Sequence, residues 1–467
     1  MKRIAYMTIL AAAFSLAACT VEQDDFFDDS SANRADASIQ NCYSVLTGAP
    51  NGWRVKYFPS KEQSYGGFNF VMQFDEKGYL TCSGDADISG DITAKATSLY
   101  KIYQSSGVTL TFDTYNAIFS KMSDPKVVIT GETGTGMGGD NEFGVLSACK
   151  DSVVLKGRAS GNRVVMYPMA EGEEWSAYLG KLADVDNHMY AKSYSLVAKV
   201  KDTVRVNNRD SVYERIDTTT FYTDLRGLSY YYISGNDRQV GTASYIITPE
   251  GMEFYKSIDY KGHRISGFKY NAATKEFESF DNPEVKLVVD PLNRQFVNSL
   301  WFTSKENVGT WTQKYWKLWD KQAKTNCLWK KEDYGLDEDI DLNGEVTLVG
   351  VGRISDYFGL YYYVYQEHLY DAFAGIIYLT TELVGDDQIK FKLTNEGSGD
   401  TDILLGRGYS YATRPFANAT FTVSSDNQMR TSCDLKCNNR ANNDMHFTTQ
   451  TIPYPLRDPA DRPSLDE

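Results

Sequence analysis

Residues 53–82 run Trp53-Arg54-Val55-Lys56-Tyr57-Phe58, a loop punctuated by Gly66-Gly67, Phe68-Asn69-Phe70-Val71-Met72-Gln73-Phe74, the turn Glu76-Lys77-Gly78, and Tyr79-Leu80-Thr81-Cys82. Apolar and polar side chains alternate in the first two runs, the period of a strand with one face in a core. Gly78 supplies a residue that can turn tightly, so neighbouring runs are expected to pair as an antiparallel meander. Further along, Tyr194 to Val206 and Ser211 to Tyr222 read as two long strands joined at Asn207-Asn208, where Asn tolerates positive φ. The 33 Tyr and 23 Phe, set against only 12 Pro, also favour strands. The expected fold class is mainly β, built of antiparallel β-sheet or meander domains with a few helices, with α+β character at the N-terminal helix.

That helix is expected over Asn33 to Thr47, where Ile39, Cys42, Tyr43 and Leu46 share one face and Gly48 and Pro50 stop it. Glu171 to Ala183 is a second, with Trp175, Tyr178, Leu179 and Leu182 at helical spacing, and Trp311 to Trp329 a third. One internal echo bears on architecture. Ser98-Leu99-Tyr100-Lys101-Ile102 followed by Gly107 and Val108 to Phe112 resembles Ala243-Ser244-Tyr245-Ile246-Ile247 followed by Gly251 and Met252 to Tyr255. Each copy is strand, Gly turn, strand. Five of the seven Trp fall between 301 and 329, and the change of character near Asp290-Pro291 to Lys305 marks a domain boundary. The division read from the sequence is 32–295 for a larger β-rich domain and 296–467 for a smaller β-rich one with a Trp-rich helix.

Two segments precede these domains. Met1-Lys2-Arg3 is basic, Ile4 to Ala13 is a short apolar run, and Ser15-Leu16-Ala17-Ala18-Cys19 puts small residues directly before a cysteine. Such a run is too short to span a bilayer, so residues 1–18 read as a lipoprotein signal peptide whose removal leaves Cys19 to carry acyl chains such as palmitate. Residues 19–31 read as a tether: Glu22, Asp24, Asp25, Asp28 and Asp29 face no basic residue. This run resembles the acidic export signal of lipoproteins displayed on the outer face of the Bacteroidota outer membrane. The expected location is the outer membrane, lipid-anchored and facing the cell exterior.

Composition excludes more than it assigns. Of the charged residues, 48 are Lys or Arg and 62 Asp or Glu, a formal net of -14, which makes nucleic acid a poor partner. Seven cysteines in 467 residues are no disulfide framework. Cys433 and Cys437 are close enough for a local bridge, whereas a zinc site would need more Cys or His at ligand spacing and only His446 follows. The other histidines, His188, His263 and His368, are scattered, with no His-Glu-x-x-His pattern. Gly157-Arg158-Ala159-Ser160-Gly161 misses the spacing of a serine-hydrolase elbow. Gly131 to Gly139 lacks the Gly-Lys-Ser/Thr of a phosphate loop. Asp339-Ile340-Asp341-Leu342-Asn343-Gly344 opens like a calcium loop but has Gly350 where the bidentate Glu belongs. No catalytic residue, cofactor or metal site is assigned.

Asn51-Gly52-Trp53 with Tyr57, Gly66-Gly67, Ser98-Leu99-Tyr100, Leu110 to Asn116, and Gly139-Asp140-Asn141-Glu142-Phe143 followed by Leu155-Lys156-Gly157 occur in an order that resembles the Bacteroidota lipoprotein family catalogued as domain of unknown function 4302. The likeness covers roughly residues 30–290. It implies an accessory lipoprotein of an outer-membrane nutrient-uptake system and brings no catalytic residues with it. Tyr230, Tyr231 and Tyr232, and Tyr361, Tyr362 and Tyr363, alternate faces in their strands, so each cluster should turn at least one ring away from the core, available to a ligand. The leading reading is a surface-exposed, non-enzymatic lipoprotein that binds a glycan or other extracellular ligand, or an outer-membrane transporter complex. The alternatives are a structural or adhesive surface protein and a hydrolase with unrecognised carboxylates.

Overall fold

The computed structural model describes residues 30–126, 136–189, 191–206, 209–234, 237–303, 344–354, 357–366, 371–399, 416–426, 429, 432–440 and 444–448. Cys19, the acidic tether, the Asn207-Asn208 turn, Trp311 to Trp329 and Asp339 to Asn343 lie outside them. The chain is mainly β; among the described residues all strand pairing is antiparallel, and the strands close into three barrels of eight.

Barrel 1 is β1 (Trp53–Tyr57), β2 (Phe68–Phe74), β3 (Tyr79–Gly84), β4 (Ala96–Ser105), β5 (Gly107–Phe112), β6 (Glu142–Cys149), β7 (Ser152–Gly157) and β8 (Arg163–Pro168), with β8 closing on β1. Barrel 2 is β9 (Ser193–Val206), β10 (Arg209–Asp224), β11 (Gly227–Ser234), β12 (Asp237–Thr248), β13 (Gly251–Tyr260), β14 (His263–Asn271), β15 (Glu276–Ser279) and β16 (Lys286–Val289). Barrel 3 is β17 (Leu300–Thr303), β18 (Gly344–Ile354), β19 (Tyr357–Gln366), β20 (Asp371–Val384), β21 (Gln388–Gly399), β22 (Thr420–Ser424), β23 (Ser432–Cys437) and β24 (Met445–Thr448). Each is an up-and-down closure in which sequence neighbours pair, so the meander read from residues 53–82 is the rule throughout. The echoed segments fall on the fourth and fifth strands of barrels 1 and 2, at the same topological position. Residues 32–295 thus hold two barrels, and residues 296–467 hold the third.

Eight strands make a lumen just wide enough for side chains to fill. Trp53, Val55 and Tyr57 of β1 point into barrel 1 with Phe70, Met72, Leu110, Phe119 and Phe143, and the void among such side chains is only about 10 Å³. Barrels 2 and 3 carry equivalent buried clusters around Phe221, Phe268 and Phe277, and around Trp301, Phe391 and Phe421.

Helices seal and join the barrels. In α1 (Ser31–Thr47), Ser30 caps the first turn by accepting from the Asn33 amide at 3.1 Å, and Cys42 and Leu46 enter the barrel 1 core. A short turn of helix, α2 (Ala86–Ser89), follows β3. In α3 (Trp175–His188), Trp175, Tyr178, Leu179, Leu182 and Val185 pack with the barrel 2 cluster. Strand β2 is buried on both faces for this reason: Phe70 and Met72 look inward, while Val71 on the outer face joins the barrel 2 cluster. Between barrels 2 and 3, α4 (Leu292–Val297) stacks Phe296 on Trp301 at 6.0 Å. Cys433 and Cys437 are both buried and unbridged, and His446 Nδ1 lies 2.7 Å from Asp434 Oδ1.

Candidate functional site

Barrels 1 and 2 meet at a junction whose two ends are chemically different. At the first end Gly67 donates its amide to Tyr245 O at 2.9 Å, and the Asn69 amide side chain donates to Ile247 O at 3.0 Å. Arg226, on the tight turn between β10 and β11, enters this contact with its side chain only 10% exposed. It donates to Asp85 Oδ2 at 2.5 Å and Gly67 O at 2.7 Å, reaches Asp87 Oδ2 at 3.3 Å, and lies 4.7 Å over the Phe68 ring. Burial alone would lower the Arg226 pKa, but the surrounding carboxylates raise it, so it stays charged. Gly66 is required here: at φ +70, a Cβ would stand 2.2 Å from Arg226 Cβ.

The second end opens into a groove of about 660 Å³. Its barrel 1 wall is the outer face of β1 and β8, where alternation turns Arg54, Lys56 and Tyr167 away from the core. Tyr178 of α3 closes one side. Barrel 2 supplies the turn at Glu250 and a stretch of β13 and β14 that includes Glu253, Tyr255, Ser257, Arg264 and Ser266, with Phe280 beyond β15. The β13 and β14 ladder is interrupted here: Glu253 pairs with Gly267, and the next paired residues are Ile258 and Ile265. Gly267 allows the strands to close just before the gap, since a Cβ there would meet Met252 O at 2.2 Å. The Ser266 amide and hydroxyl both donate to Asp281 Oδ2, at 2.5 and 2.6 Å. Burial opposes ionisation of Asp281, but these bonds and nearby Arg264 hold its pKa below the usual value.

The polar groups of the groove are unevenly satisfied. Lys56 pairs with Glu253 at 2.5 Å, and Arg264 Nε donates to Ser257 Oγ at 3.3 Å. The Arg54 guanidinium lies 5.6 Å from the centre of the Tyr178 ring. Among the described residues it has no hydrogen-bond or ion-pair partner, and its Nε is buried without one. The Glu250 carboxylate is exposed and equally unpartnered among the described residues. Burial, followed by Asp85, raises the Tyr178 pKa; Arg54 opposes the shift and Glu250 adds to it, so both charges act on one hydroxyl. Tyr167 and Phe280 are 43% and 45% exposed, large rings facing an open space. A donor fork and an acceptor without hydrogen-bond or ion-pair partners among the described residues, beside two partly exposed rings, form a surface that can bind.

The tyrosine clusters lie elsewhere. Tyr230 is only 6% exposed; its ring packs 4.6 Å from Phe221 and covers Gly241, where a Cβ would meet Tyr230 Cζ at 2.4 Å. Tyr231 lies between Arg238, at 3.7 Å from its ring centre, and Arg353 of barrel 3, at 5.3 Å. Tyr232 is 42% exposed. None of the three lines the groove. The backbones of Tyr361, Tyr362 and Tyr363 pair with Ile376, Gly375 and Ala374, and their side chains lie outside the described residues. Arg54 and Lys56 could be read from the sequence only as the solvent side of an alternating strand. The partner of Lys56, Glu253, lies some two hundred positions away, on another barrel.

The sequence segments that carried the family resemblance prove to be structural joints. A Cβ on Gly52 would meet Met72 O at 2.7 Å, and Asn51 Nδ2 donates to Ala170 O and Glu173 O, tying β1 to the start of α3. Asn116 Oδ1 accepts from the Ile118 and Phe119 amides, and its Nδ2 donates to Ser98 Oγ at 3.1 Å. Buried Asp140 accepts from the Ala159 and Ser160 amides and the Ser160 hydroxyl, fixing the turn after β7.

The fold and site define a chain of closed eight-stranded barrels with an open groove between the first two. The model of the family described as Domain of unknown function (DUF4302) matches residues 23–272, and the chain belongs to that family. A comparison with curated proteins finds no match. Among solved structures, the vaccine antigen transferrin binding protein B from Haemophilus parasuis, as a double mutant, aligns at 7% identity over 85% of this chain and 74% of that chain. The TM-score is 0.13, too low to bear on fold or ligand. No helix among the described residues is long and apolar enough to cross a membrane.

Proposed function

We propose that this chain is a lipid-anchored binding protein of the outer membrane surface, accessory to a nutrient-uptake system, and that the groove between barrels 1 and 2 is its ligand site. The observation that carries this reading is the unpartnered pair, Arg54 and Glu250, in a groove rimmed by exposed Tyr167 and Phe280. Arg54 Nε is buried without a partner and two large rings share one concavity with it; a concave surface holding both matches the few placed polar groups and apolar lining of a ligand site. Membrane attachment comes from Cys19 and outward display from the acidic tether.

The groove is tested in the full lipid-anchored chain by placing a benzophenone side chain at position 280 and irradiating intact cells. Small-molecule adducts should form there and should fall in an Arg54→Ala background. They should be missing when the same group stands at Tyr115, which is 62% exposed and outside the groove. Equal labelling at both positions would refute the groove. The anchor is tested separately: Cys19→Ala should move the chain out of the membrane fraction, and retained attachment would refute lipidation.

A further inference from the structure

We infer that the groove takes a neutral saccharide, an assignment that rests on reading the groove as the ligand site. Three features of the surface converge on that class. The first is charge: the lining sets Arg54, Lys56 and Arg264 against Glu250 and Glu253, and Asp281, just outside the lining and bonded to Ser266, offsets the remaining positive charge, in a chain whose formal net is -14. A site selecting a strongly charged ligand would carry a larger excess of the opposite sign.

The second feature is hydrogen-bonding capacity. Arg54 can only donate, and ionised Glu250 can only accept. Both lack partners among the described residues, so a ligand that satisfies both must bring acceptors and donors together. A hydroxyl does both, and a pyranose presents several in fixed directions. The third feature is the rings. Tyr167 on the barrel 1 wall and Phe280 on the barrel 2 side are exposed inside the same groove, and the C–H face of a sugar is the apolar surface that stacks on a ring while its hydroxyls point sideways to polar groups. The volume, about 660 Å³, lies within the usual range for small-molecule sites and holds more than one sugar ring.

The test uses calorimetry and thermal melting on the soluble Cys19→Ala chain with three sets of probes. These are neutral trisaccharides (maltotriose, cellotriose, mannotriose, N-acetylchitotriose, and a neutral-glycan array for breadth), trigalacturonate, and the dipeptides glycylglycine and glycylphenylalanine. At least one neutral saccharide should bind. Tyr167→Ala, Phe280→Ala and Arg54→Gln should each weaken it at least tenfold without moving the unliganded melting temperature, and Phe280→Trp should retain it. Groove-dependent binding of trigalacturonate or a dipeptide alone would overturn the saccharide class and leave the groove as the ligand site. Binding that ignores these substitutions, or no binding across all three sets, would overturn the groove and the saccharide together.

Discussion

Arg226 and Arg54 belong to the same junction between barrels 1 and 2, and they differ in almost every respect that matters. Arg226 is buried, meets two carboxylates and a carbonyl, and lies on a ring. Arg54 borders an open groove with no partner for its guanidinium among the described residues. The first arrangement holds two barrels at one angle. The second leaves capacity for something that is not protein. The junction therefore combines a satisfied, buried contact with a surface left open, and the contact fastens the two walls of the groove to each other.

The largest expected effect breaks the buried contact. Arg226→Leu removes the cation from Asp85, whose side chain is only 5% exposed, and removing one partner of a buried ion pair costs about 3–5 kcal/mol. Denaturant unfolding should show that loss. Adding Asp85→Leu to the same chain should recover part of it, because the uncompensated charge is removed. Full stability of the Arg226→Leu single variant would mean that the clasp does not fasten the barrels.

A comparable contrast separates neighbours on one strand. Tyr230→Ala should cost about 3–5 kcal/mol, by analogy with other large aromatics truncated in cores, since its ring packs on Phe221 and covers Gly241. Tyr232→Ala should change stability by less than about 0.5 kcal/mol, as for other exposed positions. Equal losses at both positions would remove the distinction between a buried and an exposed ring.

Acid offers a smaller probe of satisfied charge. Asp217 accepts from the Tyr260 hydroxyl at 2.5 Å and Lys261 at 2.7 Å, and also from Arg215. Burial pushes its pKa up, but these partners prevail and bring it down to about 2. A depressed carboxyl contributes stability above its unfolded value, near 4, and loses that contribution as pH falls toward 2. The stake is about 2 kcal/mol. Urea midpoints measured from pH 5 to pH 2 should fall less steeply in Asp217→Asn than in the parent chain; parallel curves would show that Asp217 is not the group responsible.

How much of this was legible follows from distance along the chain. The alternation in residues 53–58, the glycine turns and the echo at Ser98 and Ala243 are local, and they lead to strands, antiparallel pairing and repeated topology. Closure was not legible, because the pairing of β8 with β1 joins residues more than a hundred positions apart. The groove was less legible still: Arg54 and Glu250 each look like ordinary exposed charges in their own segments. Tyr230 to Tyr232 drew the eye because a run of rings is visible in sequence, whereas Phe280 stands alone beside Asp281 and gains meaning only from what lies across the junction.

The smallest expected effect on stability is the one that most sharpens the contrast between the two arginines. Arg54→Gln removes a charge that no described protein group balances directly, so no buried carboxylate is left behind, and the change in unfolding free energy should stay within about 0.5 kcal/mol. Affinity for the groove ligand should fall at least tenfold, which corresponds to about 1.4 kcal/mol, because the ligand alone supplies the acceptor for that guanidinium. The same substitution type at the other end, Arg226→Gln, should reverse the ranking, with a large loss of stability and any loss of affinity following from disturbed barrel packing. A double-mutant cycle pairing Arg54→Gln with Phe280→Ala, read by calorimetry, locates the effect: coupling in binding without coupling in melting places both residues on the ligand. Coupling in melting would mean instead that Arg54 supports the fold, and the two ends of the junction would then differ only in degree.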